Sequence, residues 1–146
     1  MATFEMSGLA EVKLTFDELQ KIPVEVQDEM LDVQAKIVEP EISRQAVSMG
    51  VYDTGAVSTS VYHKSPSTSK NGNRQLFISF KGSRRRGKKS ESNAAIAFYN
   101  EFGVKREGER KSQPARPFIR TAVEIASTKA MDAAADVLNK FIEKIL

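Results

Sequence analysis

The stretch RPFIRTAVEIASTKAMDAAADVLNKFIEKIL (116–146) decides the fold, because it carries an uninterrupted helical pattern. Pro117 suits the first position of a helix, where its missing N–H leaves no hydrogen bond unmade. Apolar residues then recur at spacings of 3 and 4, which places them on one helix face: Val123, Ala126, Ala130, Ala134, Val137, Phe141 and Ile145. We therefore expect a long C-terminal helix whose alanine-rich middle allows another element to pack closely against it.

A second helix is predicted from Val24 to Gly50. Its apolar face also repeats at spacings of 3 and 4, through Leu31, Ala35, Val38, Ile42, Ala46 and Met49. Pro40 lies inside this stripe, but the apolar phase continues past it, so we predict one kinked helix. Upstream, residues 4–6 predict a short edge strand, and residues 16–23 predict a short helix that follows a capping box.

Between the two long helices the pattern changes from helical to extended. Apolar and polar residues alternate over residues 57–61 and again over residues 76–80, which predicts two strands. The polar segment 65–73 contains Asn-Gly and predicts the turn of an antiparallel hairpin. Residues 93–103 (NAAIAFYNEFG) fit either a third strand or a short helix. Residues 104–117 contain two prolines and are expected to form an exposed loop.

These elements predict one α+β domain over residues 1–146. A small antiparallel sheet of about three to four strands would be packed by the kinked N-terminal helix and the long C-terminal helix. A chain of 146 residues and 16.2 kDa has room for one sizeable core rather than two.

The net charge of +3 conceals a strong segregation of charge along the chain. Residues 81–120 hold 12 basic and 4 acidic side chains, a local charge of +8 that leaves −5 on the remainder. The segments 81–93 and 104–116 are predicted to be mobile basic loops. The densest cations are Lys81, Arg84, Arg85, Arg86, Lys88 and Lys89. Such a loop would also suit nonspecific contact with nucleic-acid phosphates, which is an alternative function.

Composition excludes much of enzyme chemistry. The chain has no cysteine and a single histidine, His63, so neither a thiolate nucleophile nor a Cys- or His-based metal site is expected, and we expect no cofactor. The carboxylates of Asp28, Glu29, Glu39 and Glu41 are expected to be solvated, and His63 is expected to lie on the surface. No apolar run is long enough to span a membrane, and the N-terminus does not have the pattern of a secretory signal.

Asp53-Thr54-Gly55-Ala56 is the sharpest short motif. DTGA also marks the catalytic loop of retropepsin-type aspartic proteases, in which two such aspartates from two subunits share one proton. A homodimeric protease using Asp53 is therefore the least favoured alternative, since a long terminal helix is foreign to that fold. The structural interpretation is an aspartate that caps a turn, with Gly55 in a conformation that other residues resist.

Three segments in order resemble the tail-component family of long-tailed bacteriophages and prophages: VYDTGAVSTSV (51–61), AAIAFYNEFGVK (94–105) and ARPFIRTAVE (115–124). The anchors of this resemblance are Thr54-Gly55 with Ser60, the run Tyr99-Asn100-Glu101-Phe102-Gly103, and Arg116-Pro117-Phe118 with Ala122.

The resemblance implies a structural virion protein of the tail or neck, assembled in the host cytoplasm, and not an enzyme. It implies a closed ring of identical subunits, a hexamer by resemblance, that completes the tail or joins it to the head. The partners would be the connector-side neck protein and the tail tube protein, with nonspecific contact with passing DNA and none with a membrane. Within the motifs, Glu101 and Arg116 are the expected ion pair, and Phe102 and Phe118 the expected buried aromatics.

Overall fold

The computed structural model describes residues 22–51, 55–108 and 112–145. Over these ranges the helices are α1 (Val24–Ser48), α2 (Ala56–Thr59), α3 (Asn93–Phe102) and α4 (Phe118–Ile145). The strands are β1 (Val61–His63), β2 (Ser67–Thr68), β3 (Arg74–Gln75), β4 (Ile78–Phe80), β5 (Ser83–Arg86) and β6 (Lys89–Ser92). The strand predicted at residues 4–6 lies outside the described residues. So does the helix predicted over residues 16–23, except for its last two residues, Ile22 and Pro23, which are not helical.

The long helices α1 and α4 make the most extensive contact between any two elements. Ile42 and Ala46 near the end of α1 meet Phe118 and Ala122 at the start of α4 in one core cluster, so the two helices run antiparallel. α1 continues through Pro40, as predicted. Pro40 is exposed, so solvent can bind the carbonyl whose helical hydrogen bond the proline removes. The α+β class is confirmed.

The buried face of α4 begins one turn earlier than the sequence pattern indicates. Phe118 and Ala122 are fully buried, and Ala126, Ala130 and Ala134 continue their line at four-residue steps. Val123, which we placed on this face, is 45% exposed. Small alanine side chains along this line allow α1 and α4 to pack closely.

The predicted single sheet is divided into three two-stranded antiparallel ladders. β1 pairs with β4, with Val61 opposite Phe80, and β2 pairs with β3 beyond them. These two ladders form the predicted hairpin, with Asn71-Gly72 in its turn. After β4 the chain turns at Gly82, whose φ is 79°, and starts a separate hairpin of β5 and β6. The turn interrupts the ladder, because a strand would need φ near −140° there.

The strand predicted over residues 57–61 is wrong for its first half, which is the short helix α2. Gly55 precedes α2 with φ 73°, and its carbonyl accepts hydrogen bonds from the hydroxyls of Ser58 and Thr59 at 3.1 and 2.8 Å. Local hydroxyl-to-backbone bonds of this kind favour a tight turn over an extended strand. Val57 is buried on the inner side of α2, and β1 begins only at Val61.

Candidate functional site

Residues 93–103, which the sequence left open between strand and helix, form α3. The Ser92 hydroxyl caps its first turn by accepting a hydrogen bond from the Ala95 N–H at 3.1 Å. Asn93, Ala97 and Glu101 form the buried face at four-residue spacing. Gly103 ends the helix with φ 76°, and a Cβ there would lie 2.8 Å from the Ala115 nitrogen. Only glycine fits this close approach of two chain segments.

Glu101 caps the start of α4 from the neighbouring helix. Glu101 is 9% exposed, and its carboxylate accepts hydrogen bonds from the backbone N–H groups of Ile119 at 2.8 Å and Arg120 at 3.1 Å. These are N–H groups that a helix leaves without internal partners, and the helix dipole adds to the attraction. A buried carboxylate satisfied in this way fixes the angle between α3 and α4.

Arg116 does not take Glu101 as its partner. Its side chain donates through Nη1 to the carbonyl of Gly50 at 3.0 Å, and its backbone N–H donates to the Asn100 carbonyl at 2.6 Å. The expected ion pair between Glu101 and Arg116 is therefore wrong. The Glu101 carboxylate binds the N–H groups at the start of α4, and Arg116 binds backbone carbonyl groups and no carboxylate of Glu101. Arg116 instead ties the end of α1 to the entry of α4. Pro117 immediately precedes α4, and Phe118 is completely buried, as predicted.

An exposed ridge of aromatic rings runs along the outer face of α3. It consists of Phe98, Tyr99 and Phe102, which are 58%, 43% and 68% exposed. The Phe98 ring lies 6.3 Å from the Tyr99 ring and 4.8 Å from the Phe102 ring, measured between centroids. The prediction that Phe102 is buried is wrong, since the inner face of α3 is used by Asn93, Ala97 and Glu101 and position 102 falls on the other side.

A cleft of about 670 Å³ opens beside this aromatic ridge, with Tyr99 lining both. Three arginines line the cleft, Arg84, Arg106 and Arg116, against one acidic residue, Glu91. The volume is in the range of binding pockets, and its charge is positive. We call this feature the cationic cleft. It is lined by segments that are far apart in the sequence, including Val51, Tyr99 and Arg116.

The basic segment 81–93 was expected to be a mobile loop, but it contains the hairpin of β5 and β6. Arg84 lies opposite Glu91 in the register, and Gly87 has φ 57° at the first position of a two-residue turn. Gly in that position is a signal for a tight hairpin turn, and the sequence analysis missed it. At the base, the Asn93 side chain donates to the Lys81 carbonyl at 2.7 Å.

The hairpin still presents cations to solvent. Arg85, Lys88 and Lys89 are exposed, while Arg84 is half-buried on the cleft side. The Lys81 ammonium lies 4.9 Å from the centre of the Tyr62 ring, a cation–π contact. The side chain of Arg86 lies outside the described part of the structure. In the second basic segment, Val104 and Gln113 pair through their backbones, so its ends are held together.

Carboxylates of α1 hold the first hairpin in place, which corrects the expectation that they are solvated. His63 contacts Glu39 through Nδ1, and its Nε2 lies 3.0 Å from Asp32 Oδ1. Arg74 donates to both oxygens of Asp28, at 2.8 and 2.7 Å. Glu41 is also buried and accepts a hydrogen bond from Gln45 at 2.8 Å, which together with Arg44 lowers the pKa of its carboxyl.

Asp53 and Thr54 lie outside the described residues, and the structure places only Gly55 and Ala56 of that motif. Among the described residues, no group of three His, Asp or Glu side chains is arranged to hold a metal ion. Nor does any described helix combine the length and apolarity needed to cross a bilayer.

No family model, no curated protein and no solved structure matches this chain. A functional assignment therefore depends on the residues and on their arrangement.

Proposed function

We propose that this chain is a structural virion protein that forms a closed homo-oligomeric ring at the head–tail junction, or at the head-proximal end, of a long-tailed phage tail. Its role is to form interfaces, and it carries out no catalysis. Its partners are further copies of itself, in a hexamer by resemblance, together with the connector-side neck protein and the tail tube protein. Passing DNA would touch the ring without sequence preference.

The observation that carries this proposal is the convergence of the three motifs behind the family resemblance. Val51 and Val57 of the first motif, Ala97 of the second, and Phe118 and Ala122 of the third pack in one core cluster. Side chains from the same three motifs line the cationic cleft. Residues separated by some 60 positions thus build one surface feature, which supports their having a shared role.

The aromatic ridge supports an oligomer rather than a monomer. The Phe98 ring contacts those of Tyr99 and Phe102, so the three rings form one apolar patch, whereas exposed apolar residues on monomeric proteins are usually scattered. Aromatic and arginine side chains are the types enriched at protein interfaces, and here they lie side by side. Exposure of such a patch to water costs free energy, and burial against a partner removes that cost.

Native mass spectrometry over a concentration series, with negative-stain images of the large species, tests the ring. We expect one closed stoichiometry above the dimer and ring-shaped particles. A chain that is a discrete dimer, or a monomer at its highest soluble concentration, contradicts the proposal. Antibody labelling of virions that carry the chain tests its location: label at the neck is expected, and label elsewhere on the particle contradicts it.

Nonspecific nucleic-acid binding is the second candidate, favoured by the exposed cations Arg85, Lys88 and Lys89 on one hairpin. Phosphate contacts of this kind weaken steeply with salt, because binding releases condensed counterions. Filter binding of double-stranded DNA at several salt concentrations separates the candidates. Nucleic-acid binding would be favoured if DNA is retained tightly, if retention falls with salt, and if the double variant Arg85→Gln with Lys89→Gln abolishes it. It would be excluded if retention is weak and the double variant does not change it.

A further inference from the structure

We infer that the hairpin of β5 and β6, here called the basic ribbon (83–92), is a binding arm for duplex DNA. It is a preformed two-stranded ribbon that enters the major groove and contacts phosphates on the groove walls without sequence preference. The inference rests on the proposed function in one respect, because that role brings the chain to passing DNA. It makes DNA contact a property of the ring subunit, through a named element and an ordered shape.

The basic ribbon presents side chains to solvent on both of its faces. Among its residues whose burial the structure describes, Arg84 is half-buried and all the others are exposed. Outside the ribbon, its strands make extensive contact only with α3, which directly follows β6. A two-stranded hairpin has little stability of its own in water, and this one adds no side chain to the core. Its surface is therefore available to a partner.

The composition of the basic ribbon favours a phosphate-rich partner over a protein. Its sequence, SRRRGKKSES, contains five cations, one glutamate and no apolar side chain, which gives a charge of +4. Protein interfaces have apolar and aromatic cores, and the ribbon offers no such side chain. Arginine, lysine and serine are among the side chains that contact the phosphate oxygens of DNA.

The free edges of the basic ribbon do not favour pairing with another copy. Edge-to-edge pairing would bring two ribbons of like charge together, and lysine on an edge strand opposes such pairing. The surface beside the ribbon adds to its charge, because the cleft that Arg84 and Glu91 line also holds Arg106 and Arg116. A polyanion is therefore attracted where a second copy is repelled.

The basic ribbon is held in a defined direction at its base and closed by a tight turn at its tip. Asn93 is 6% exposed, and it donates hydrogen bonds to the carbonyls of Gly82 at 3.0 Å and Lys81 at 2.7 Å. At the tip, Gly87 has φ 57°. Each strand has four residues and extends about 13 Å. The major groove of B-DNA is about 12 Å wide and about 8.5 Å deep and admits a two-stranded ribbon, so this one can reach its floor.

Cations on both faces of the basic ribbon direct positive charge toward both walls of the groove. Arg85 lies opposite Ser90 on one face, and Lys89 lies on the other face, because successive strand residues alternate between the faces. Lys88 is exposed in the turn. We therefore assign the phosphate contacts to Arg85, Lys88 and Lys89.

Gly87→Val tests an ordered ribbon against a loop that acts by charge alone. The variant keeps every charge, but a β-branched residue resists positive φ at the turn. The rest of the fold should persist, because a Cβ at Gly87 meets no described atom within 4 Å apart from those of its chain neighbours. We expect the variant to bind a short DNA duplex roughly tenfold more weakly than wild type in fluorescence anisotropy. Gly87→Asn is the matched control and should bind as wild type does, since asparagine tolerates positive φ.

Lys88→Gln tests the assigned phosphate contacts. The slope of log affinity against log salt concentration falls by about 1 for each phosphate contact that is removed, and we expect that change here. Lys70→Gln is the matched control, because Lys70 is also an exposed lysine in a hairpin turn, at the tip of the first hairpin. It should leave the slope unchanged.

Competition and strand tests locate the groove. Methyl green, which occupies the major groove, should displace the wild-type chain from the duplex, whereas distamycin, which occupies the minor groove, should not. A single strand of the same length should bind less tightly than the duplex at equal salt, because it offers no groove.

Native mass spectrometry of the same variants separates the inference from the proposed function. The inference is wrong if the wild type binds no duplex at low salt, or if Gly87→Val binds as tightly as wild type. It is also wrong if Lys88→Gln and Lys70→Gln change the slope equally, or if methyl green fails to displace the chain. An intact ring in any of these cases leaves the proposed function standing. A chain that passes the DNA tests but forms no ring supports the inference and overturns the ring.

Discussion

At the scale of single residues, Asp32 of α1 is positioned by one contact within its own helix and by one from a strand that is distant in the sequence. Asp32 receives a hydrogen bond from Lys36 one turn later, and His63 approaches from β1. The hydrogen bond from Lys36, followed by the smaller contribution of His63, lowers the pKa of the Asp32 carboxyl from its usual 3.8. The ionised form of Asp32 is thus favoured in the folded chain.

Asp32→Asn should reduce stability in a way that depends on pH. A lowered pKa means that Asp32 contributes fully above pH 3.8 and that the contribution is lost as the pH falls through the folded-state pKa. The pair is largely exposed, so we expect a loss of about 0.5 kcal/mol at neutral pH. Urea unfolding of wild type and variant at neutral pH and below pH 3.8 measures the difference, which should shrink in acid. Lys36→Met should show the same trend, and a difference that persists in acid would contradict this assignment.

Phe118 is the largest fully buried side chain among the described residues, and its ring meets that of Phe80 edge-on at 6.1 Å. Phe118→Ala removes this packing and leaves a cavity between α4 and β4. We expect the free energy of unfolding to fall by about 3–5 kcal/mol, measured by chemical denaturation. Phe77→Ala is the control, because the same truncation at a ring 54% exposed should change little. Equal effects at both positions would show that Phe118 is not core.

At the scale of elements, α4 depends on α3 for its first turn. Glu101→Gln keeps the shape of the side chain but removes its charge and turns an amide N–H₂ toward the N–H groups of Ile119 and Arg120. We expect a loss of about 1–2 kcal/mol in the free energy of unfolding, measured by urea denaturation. Glu107→Gln, an exposed change in the adjoining loop, is the control. If Glu101→Gln left the free energy of unfolding unchanged, the cap would add nothing to the stability of α4.

At the scale of the whole molecule, residues 81–120, which include the arginines of the cleft and the hairpin of β5 and β6, carry a charge of +8, and the remainder of the chain carries −5. Salt screens attraction between such surfaces over about 10 Å at 0.1 M ionic strength. We therefore predict that the ring dissociates at higher protein concentrations as the concentration of sodium chloride rises. Mass photometry measures this change. Arg106→Gln removes one cation of the cleft without touching the core and should reduce this salt dependence, whereas Lys64→Gln on the first hairpin should not. A ring that is indifferent to salt would mean that charge does not hold it.

Several features that depend on neighbours in sequence were predicted correctly, although the short helix α2 and the Gly87 turn of the second hairpin were missed. The two long helices follow from apolar residues at spacings of 3 and 4, since such a stripe can be buried only on a helix. The first hairpin follows from Asn-Gly between two alternating segments, and the burial of Phe118 follows from its place at the helix entry. These features depend on local periodicity and on turn chemistry, which the order of residues specifies directly.

Contacts between residues that are distant in the sequence could not be predicted from local patterns. Whether Glu101 would bind Arg116 or the N–H groups of α4 depends on where α3 ends relative to α4, and no local pattern encodes that distance. The same holds for His63 between Asp32 and Glu39, and for Phe102 on the outer side of α3. Sequence alone thus determined the fold class, the helix pair and the segregation of charge. Only the tertiary structure decided the partners of the charged groups and brought three separate motifs to one cleft, because electrostatic pairing depends on distances that the folded chain sets.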